Sequence, residues 1–349
     1  MTLTTLQAGR AIAAIAVVFF HANSFFIPER LYAGQGVSPA INAGYAGVEY
    51  FFVLSGFIMM LVHQRDMDRP DRVAPFLWKR IIRIYPFYWV VLFALIGAYF
   101  VMPTMGPENA RDPLMLISSA LLIPNGEGFI VVAAWTLSHE MLFYLLFSTT
   151  MLNRVAGALI LSAWAMAIIF AAAVPDVPFP ISFLLSPYNL LFLFGIGSAY
   201  LFGRLPAALG GMLAVVGLVT FPAIAIADVT GMWTPSFLIR TVVLGISGAA
   251  LVTGLTNLES KGYLRAPAWL VFLGDASYAI YIVHSAALAA LCVVVLRLGL
   301  NQAVPAGVML VAISLAATLA GIIAHVLIEK PLLAMLRPAR MARAEAMPA

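Results

Sequence analysis

VPAGVMLVAISLAATLAGIIAHVLI, residues 304 to 328, contains no Asp, Glu, Lys or Arg. A helix needs about 20 apolar residues to cross the hydrocarbon core of a bilayer, so this stretch spans one and is too apolar for a soluble surface. Nine more stretches of this kind precede it, at 9–27, 44–64, 84–102, 134–152, 155–174, 187–203, 209–227, 235–256 and 269–297. The whole chain shares the bias: 63% of 349 residues are hydrophobic and 10% are charged. That leaves too little polar surface to cover a core in water. The sequence predicts an all-α polytopic membrane protein of about ten transmembrane helices, one transmembrane domain over residues 1–338, and a disordered tail at 339–349. The first apolar stretch carries Arg10 and His21 and lacks a following small-x-small cleavage site, so it reads as a retained helix rather than a signal peptide.

Charge sets the orientation. With the N-terminus in the cytoplasm, only Arg30, Arg111, Arg240 and Arg297 of the 19 basic residues fall outside, which predicts that both termini are cytoplasmic by the positive-inside rule. The net charge of +4 is thereby an orientation signal, and no nucleic-acid partner is read from it. Pro103–Pro113 and Pro175–Pro187 read as outer connections, and 113–124 is too short to span, hence interfacial or re-entrant. The single cysteine, Cys292, excludes a disulfide frame and a cysteine metal site. The five histidines show no HExxH pair or other compact ligand spacing, so no metal is expected. Hydrolase elbows and phosphate loops of the soluble kind are absent as well.

Ionisable residues inside the membrane each need a reason, because one at the bilayer centre costs about 2.5–3.5 kcal/mol on insertion scales. Arg10 and His21 are eleven residues apart on the first helix, which puts them on one face and about 16 Å apart along the axis. A snorkelling Arg and a structural His fit that spacing equally well. Glu49 opens the second helix at the outer edge, where a solvated carboxylate is the plainer reading. Helix four carries Trp135, His139 and Glu140, with Glu140 and Tyr144 on one face. Arg80 and Arg83, one turn apart ahead of Tyr85 and Pro86, fit two phosphates but read first as ordinary positive-inside charges. Ser277, Tyr281, His284 and Ser285 form one polar stripe, and Ser314, Thr318, His325 and Glu329 another. Such stripes commonly mark buried helix interfaces.

Together these residues resemble the membrane acyltransferase-3 family, with the stand-alone exopolysaccharide-modifying acetyltransferases the nearest subgroup. The resemblance covers essentially the whole chain. It rests on Arg10 and His21 in LQAGRAIAAIAVVFFHA, GVEYFFVLSGFIM at Gly47–Met59, KRIIRIYPFYW at Lys79–Trp89, WTLSHEMLFY around Glu140, LGDASYAIYIVH at Leu273–His284, and IEKP at Ile328–Pro331. His139 departs from the small or apolar residue found there in many members, and no esterase-like domain follows the last helix. The resemblance implies an O-acyltransferase of the bacterial inner membrane. It would use cytoplasmic acyl-CoA, first of all acetyl-CoA, as donor, and a polysaccharide or lipid-linked glycan as acceptor. On that reading His21 is the base and Glu140 orients the imidazole or the sugar. Arg10, Arg80, Arg83 and Tyr85 hold the donor, while Glu49, Trp135, His139 and His284 line the acceptor site. Rival readings are a transporter or flippase of lipid-linked glycans, which an inverted repeat would favour, and a non-catalytic subunit of a polysaccharide synthase.

Overall fold

The computed structural model describes residues 3–34, 36–102 and 106–336; the expected tail at 339–349 lies outside them. Among the described residues there is no strand. Nine helices are long and apolar enough to cross a bilayer: α1 (Thr4–Leu31), α2 (Pro39–Asp66), α3 (Pro70–Val101), α6 (Arg154–Ala171), α7 (Ile181–Leu201), α8 (Ala207–Val229), α9 (Phe237–Ser260), α11 (Ser277–Arg297) and α12 (Ala306–Leu336). A further helix of crossing length, α5 (Ala134–Leu152), carries the polar Trp135–Glu140 segment. Three short helices complete the set, α4 (Pro113–Leu121), α10 (Ala268–Asp275) and a single turn at Leu300–Ala303. Large apolar side chains such as Val62, Phe93, Leu159, Leu218 and Leu319 stand more than half exposed around the bundle. A surface so apolar on every side is one that faces lipid. The protein is a multi-pass membrane protein.

The long helices alternate in direction, which brings Thr4, His63, Arg83, Thr150, Glu259, Ser277 and Glu329 to one end of the bundle. Three contacts tie that end together: Thr5 to Glu259, Arg10 to Ser277 and Arg83 to Glu329. It is called the N-terminal end below, and the opposite one the far end.

Small residues set the closest approach. A Cβ on Gly56 of α2 would lie 1.9 Å from the Phe192 carbonyl oxygen of α7, and one on Gly195 would lie 1.9 Å from that of Val53. Two backbones meet there because neither carries a side chain. Next to them Phe192 stacks on Phe52 at 4.6 Å and on Phe143 at 4.4 Å, joining α2, α5 and α7.

One expectation changes, and a second gains detail. The stretch at 269–297 breaks into α10 and α11 at Ala276 (φ −78°, ψ −7°). Gly274 there lies so close to α1 that a Cβ would be 2.1 Å from the Gln7 carbonyl oxygen, and the break turns α11 into the bundle. The short segment expected over 113–124 is α4, capped by the Asp112 carboxylate accepting from Leu114 N at 2.7 Å. Its last carbonyls lack helical partners, and α3 supplies them. Tyr88 donates to Ser119 O, Trp89 to Ala120 O and Tyr85 to Leu121 O at 2.6–2.8 Å.

Candidate active site

Two cavities enter the bundle from opposite ends. The one at the N-terminal end, about 160 Å³, is lined by Arg10, Arg80 and Arg83 together with Ser55, Glu140, Tyr144, Ser277 and Tyr278. The one at the far end, about 560 Å³, is lined by His21, Glu49, Trp135, Tyr188, Arg240 and Ser285. Val48 and Tyr281 line both. Between the cavities the Tyr281 hydroxyl donates to Thr136 Oγ1 at 3.1 Å, and this pair with Val48 forms the wall.

In the first cavity the three arginines are not equivalent. Arg83 Nη1 meets Glu329 Oε1 at 2.5 Å, and that fully buried carboxylate also takes His325 Nδ1 at 2.7 Å on its other oxygen. Arg83 stands over the Tyr278 ring at 5.2 Å. Its charge is thus compensated within the protein. Arg10 donates from Nε to Ser277 Oγ at 3.1 Å. Arg80 lies over the rings of Phe76 and Tyr144 at 5.6 and 5.8 Å, and its buried Nε has no partner. Among the described residues no carboxylate lies within 4.0 Å of Arg10 or Arg80, and Arg80, whose Nε has no partner, is the guanidinium most free to take an anion. Glu140 Oε1 accepts from Ser55 Oγ at 3.0 Å and from the Tyr144 hydroxyl.

In the second cavity His21 closes the α-helical part of α1, which continues as a π-helix over Ala22–Leu31 with Pro28 inside it. Such widened turns recur at functional sites. Its Nδ1 lies 2.9 Å from the Val17 carbonyl oxygen. A carbonyl only accepts, so Nδ1 carries the hydrogen and Nε2 keeps its lone pair. His284 Nδ1 is held by the Tyr281 carbonyl at 2.6 Å in the same way, which turns its Nε2 lone pair toward His21 Nδ1 at 3.3 Å and Ser285 Oγ at 3.1 Å. His21 is therefore an imidazole with a free basic nitrogen, backed by a second, fully buried one.

Not every expected site residue joins this arrangement. Glu140 opens on the other cavity, so the imidazole is oriented by Val17 O and His284 rather than by a carboxylate. Tyr85 turns away from Arg80 and Arg83 to cap α4, and the tyrosine rings against the guanidiniums of that cavity are Tyr144 and Tyr278. His139 is buried against Phe183 at 4.3 Å between ring centres, with Nδ1 on Asn189 Oδ1 at 2.9 Å, and lines neither cavity. His284 backs His21 instead of lining the cavity. Arg10, Arg80 and Arg83 line the first cavity, and His21, Glu49 and Trp135 line the second. Sequence reasoning passed over Arg240, counted as an outer loop charge, whose Nη1 meets Asp228 Oδ2 at 3.4 Å. It also left Glu329 in a generic polar stripe. No metal-holding group of His, Cys, Asp or Glu occurs among the described residues.

Comparison with known proteins agrees with this geometry. The acyltransferase-3 family model, described as an acyltransferase domain, matches residues 3–327. The chain is 30% identical over 315 residues to the exopolysaccharide production protein ExoZ of Rhizobium meliloti, covering 86% of this chain and 93% of that protein. It is 30% identical over 319 residues to the acyltransferase MdmB of Streptomyces mycarofaciens, covering 81% of this chain and 78% of that protein. No solved structure matches. An unbroken family match over nearly the whole bundle, and an acyltransferase among its relatives, make this chain a member of the acyltransferase-3 family and a membrane acyltransferase.

Proposed function

We propose that the protein moves an acyl group, acetyl in the first instance, from acyl-CoA to a hydroxyl of an exported or lipid-linked glycan. On this reading it lies in the bacterial inner membrane with both termini in the cytoplasm. The observation that carries the reading is the pair of opposed cavities, one lined by three arginines and the other by a basic imidazole, which share Val48 and Tyr281 as lining residues. The arginine cavity suits the phosphates of the donor, with Arg10 and Arg80 as the cations that no carboxylate pairs with. The narrow acyl-bearing arm then reaches past Val48 and Tyr281 toward His21. This direction agrees with an exopolysaccharide protein among the relatives.

The step follows from the imidazole. His21 Nε2 takes the proton from the acceptor hydroxyl as its oxygen attacks the thioester carbonyl. The C–S bond breaks, and the imidazolium returns the proton to the departing thiolate. The positive charge on His21 during the step is met by the His284 Nε2 lone pair and the Val17 carbonyl, both already in place. Glu140, fixed by Ser55 and Tyr144, balances the arginines of the donor cavity and holds their geometry.

The test is purified full-length protein in nanodiscs with acetyl-labelled acetyl-CoA. Release of free CoA thiol with label appearing on a glycan or in acetate is the expected result. An absence of thiol release across a panel of glycans would remove the reading and favour the flippase.

A further inference from the structure

The far cavity holds polar atoms that the acyl transfer step does not use. Glu49 is 1% exposed, and neither of its carboxylate oxygens has a hydrogen-bond partner. Arg240, on α9, has a buried Nε that is likewise unpartnered. The rest of Arg240 is fixed: Nη1 is engaged by Asp228, and the guanidinium lies between the rings of Tyr45 at 5.4 Å and Phe237 at 5.2 Å. The Tyr45 hydroxyl holds the same Asp228 oxygen at 2.7 Å. Buried polar atoms left without partners are costly, and a native protein keeps them where something else supplies the partner.

Resting on the acyl-transfer reading above, we infer that Glu49 and Arg240 form the recognition subsite for an uncharged, polyhydroxylated pyranose, with Trp135 and Tyr188 as its stacking walls. The chemistry of the unpartnered atoms selects this ligand. Glu49 offers two acceptors and Arg240 one donor. An ammonium satisfies Glu49 but meets a guanidinium, and a carboxylate or phosphate satisfies Arg240 but meets Glu49. Neighbouring sugar hydroxyls do both, donating hydrogens to the Glu49 oxygens and accepting from Arg240 Nε on an oxygen lone pair. The Arg240 charge is already matched by Asp228, so it contributes a directed N–H rather than net attraction for an anion. Trp135 and Tyr188, with ring centres 5.2 Å apart, supply apolar area for the C–H face of a pyranose. Both line the cavity that holds His21, so a sugar seated on them brings its hydroxyls within the region of the basic nitrogen.

The experiment is saturation-transfer NMR on the full-length protein in nanodiscs, with methyl glucopyranoside, methyl glucosaminide and methyl glucuronide as probes, alongside the acetyl-CoA assay. Wild-type protein is expected to prefer the neutral glycoside over the glucuronide by tenfold or more. Glu49→Gln, nearly the same size, should erase most of that preference, and Arg240→Gln should move selectivity toward the glucosaminide. Loss of folding lowers all three signals together and cannot produce opposite shifts. Equal saturation by the three probes, no saturation by any, or a preference unmoved by Glu49→Gln overturns the inference. Selective binding without acyl transfer would keep the subsite and remove the acyltransfer reading. Transfer without selectivity would do the reverse.

Discussion

Replacing His21 with Asn removes one nitrogen of the imidazole and keeps the other. The Asn amide N–H reaches the position of Nδ1 and preserves the bond to Val17 O, at 2.9 Å in the native protein, while nothing remains where Nε2 offered its lone pair. If Nε2 is the base, turnover should fall by about 10²–10⁴, which is about 2.7–5.4 kcal/mol at 1.36 kcal/mol per tenfold. If the ring is only a packing residue, the loss is its edge contact with the His284 ring, 4.7 Å between centres, worth about 1 kcal/mol. That corresponds to a change of about fivefold. The two readings are separated by more than a decade. The assay is thiol release from acetyl-CoA by protein in nanodiscs, at saturating donor, with donor affinity measured independently by equilibrium dialysis. Donor affinity should hold, because Arg10, Arg80 and Arg83 line the other cavity. A His21→Asn protein that folds and turns over within tenfold of wild type would refute the assignment.

The unequal arginines give a second outcome. Arg80→Ala should raise the apparent KM for acyl-CoA by tenfold or more with a smaller change in kcat, the mark of lost ground-state binding, as initial rates against donor concentration will show. Arg83→Ala should chiefly destabilise, since it strands the buried Glu329 without its partner at a typical cost of about 3–5 kcal/mol; adding Glu329→Gln should restore the melting temperature, and an unshifted melt in the single variant would contradict this. Gly56→Leu should abolish a monodisperse elution profile because its Cβ would meet Phe192 O at 1.9 Å, whereas Gly97→Leu, with nothing within 4 Å, should be tolerated. For orientation, Asp71→Cys in a Cys292→Ala background, at a side chain 64% exposed in the first turn of α3, should resist membrane-impermeant thiol reagents in intact cells; ready labelling would reverse the topology.

The ten long helices were legible because lipid forces each crossing to write its apolar length locally in the chain. Arg10 and His21 were legible for a related reason: both sit on one helix, where 100° per residue fixes their shared face. What failed involved partners distant in sequence. Arg83 looked like a free cation because Glu329, its counter-ion, is 246 residues away. Glu140 and His21 each looked like the other's neighbour, yet Glu140 lines the first cavity and His21 the second, with Tyr281 of α11 hydrogen-bonded to Thr136 of Glu140's own helix between them. Tyr85 belongs to a motif, but its hydroxyl answers a need of α4 that no periodicity reveals. His139 was a candidate until Asn189 and Phe183 closed around it. Arg240 was discounted for its place in a loop-edge tally, when its value comes from Asp228 and Tyr45 on other helices.

The wall made by Val48, Tyr281 and Thr136 has a consequence for the cell as a whole. Two wet vestibules that nearly meet in mid-membrane are most of a channel, and a cell that stores energy as a proton gradient cannot tolerate an open one. Val48 and Tyr281, which line both cavities, and the 3.1 Å bond from Tyr281 to Thr136 lie where such a leak has to be blocked. On the proposed reading that barrier has to part for the acyl-bearing arm during catalysis, and the arm itself, being narrow, is a stopper that fills the breach it makes. Trimming Tyr281 to Ala would then harm growth through leakage as well as through lost turnover, and the burden would be heaviest when donor is scarce and the passage stands unplugged.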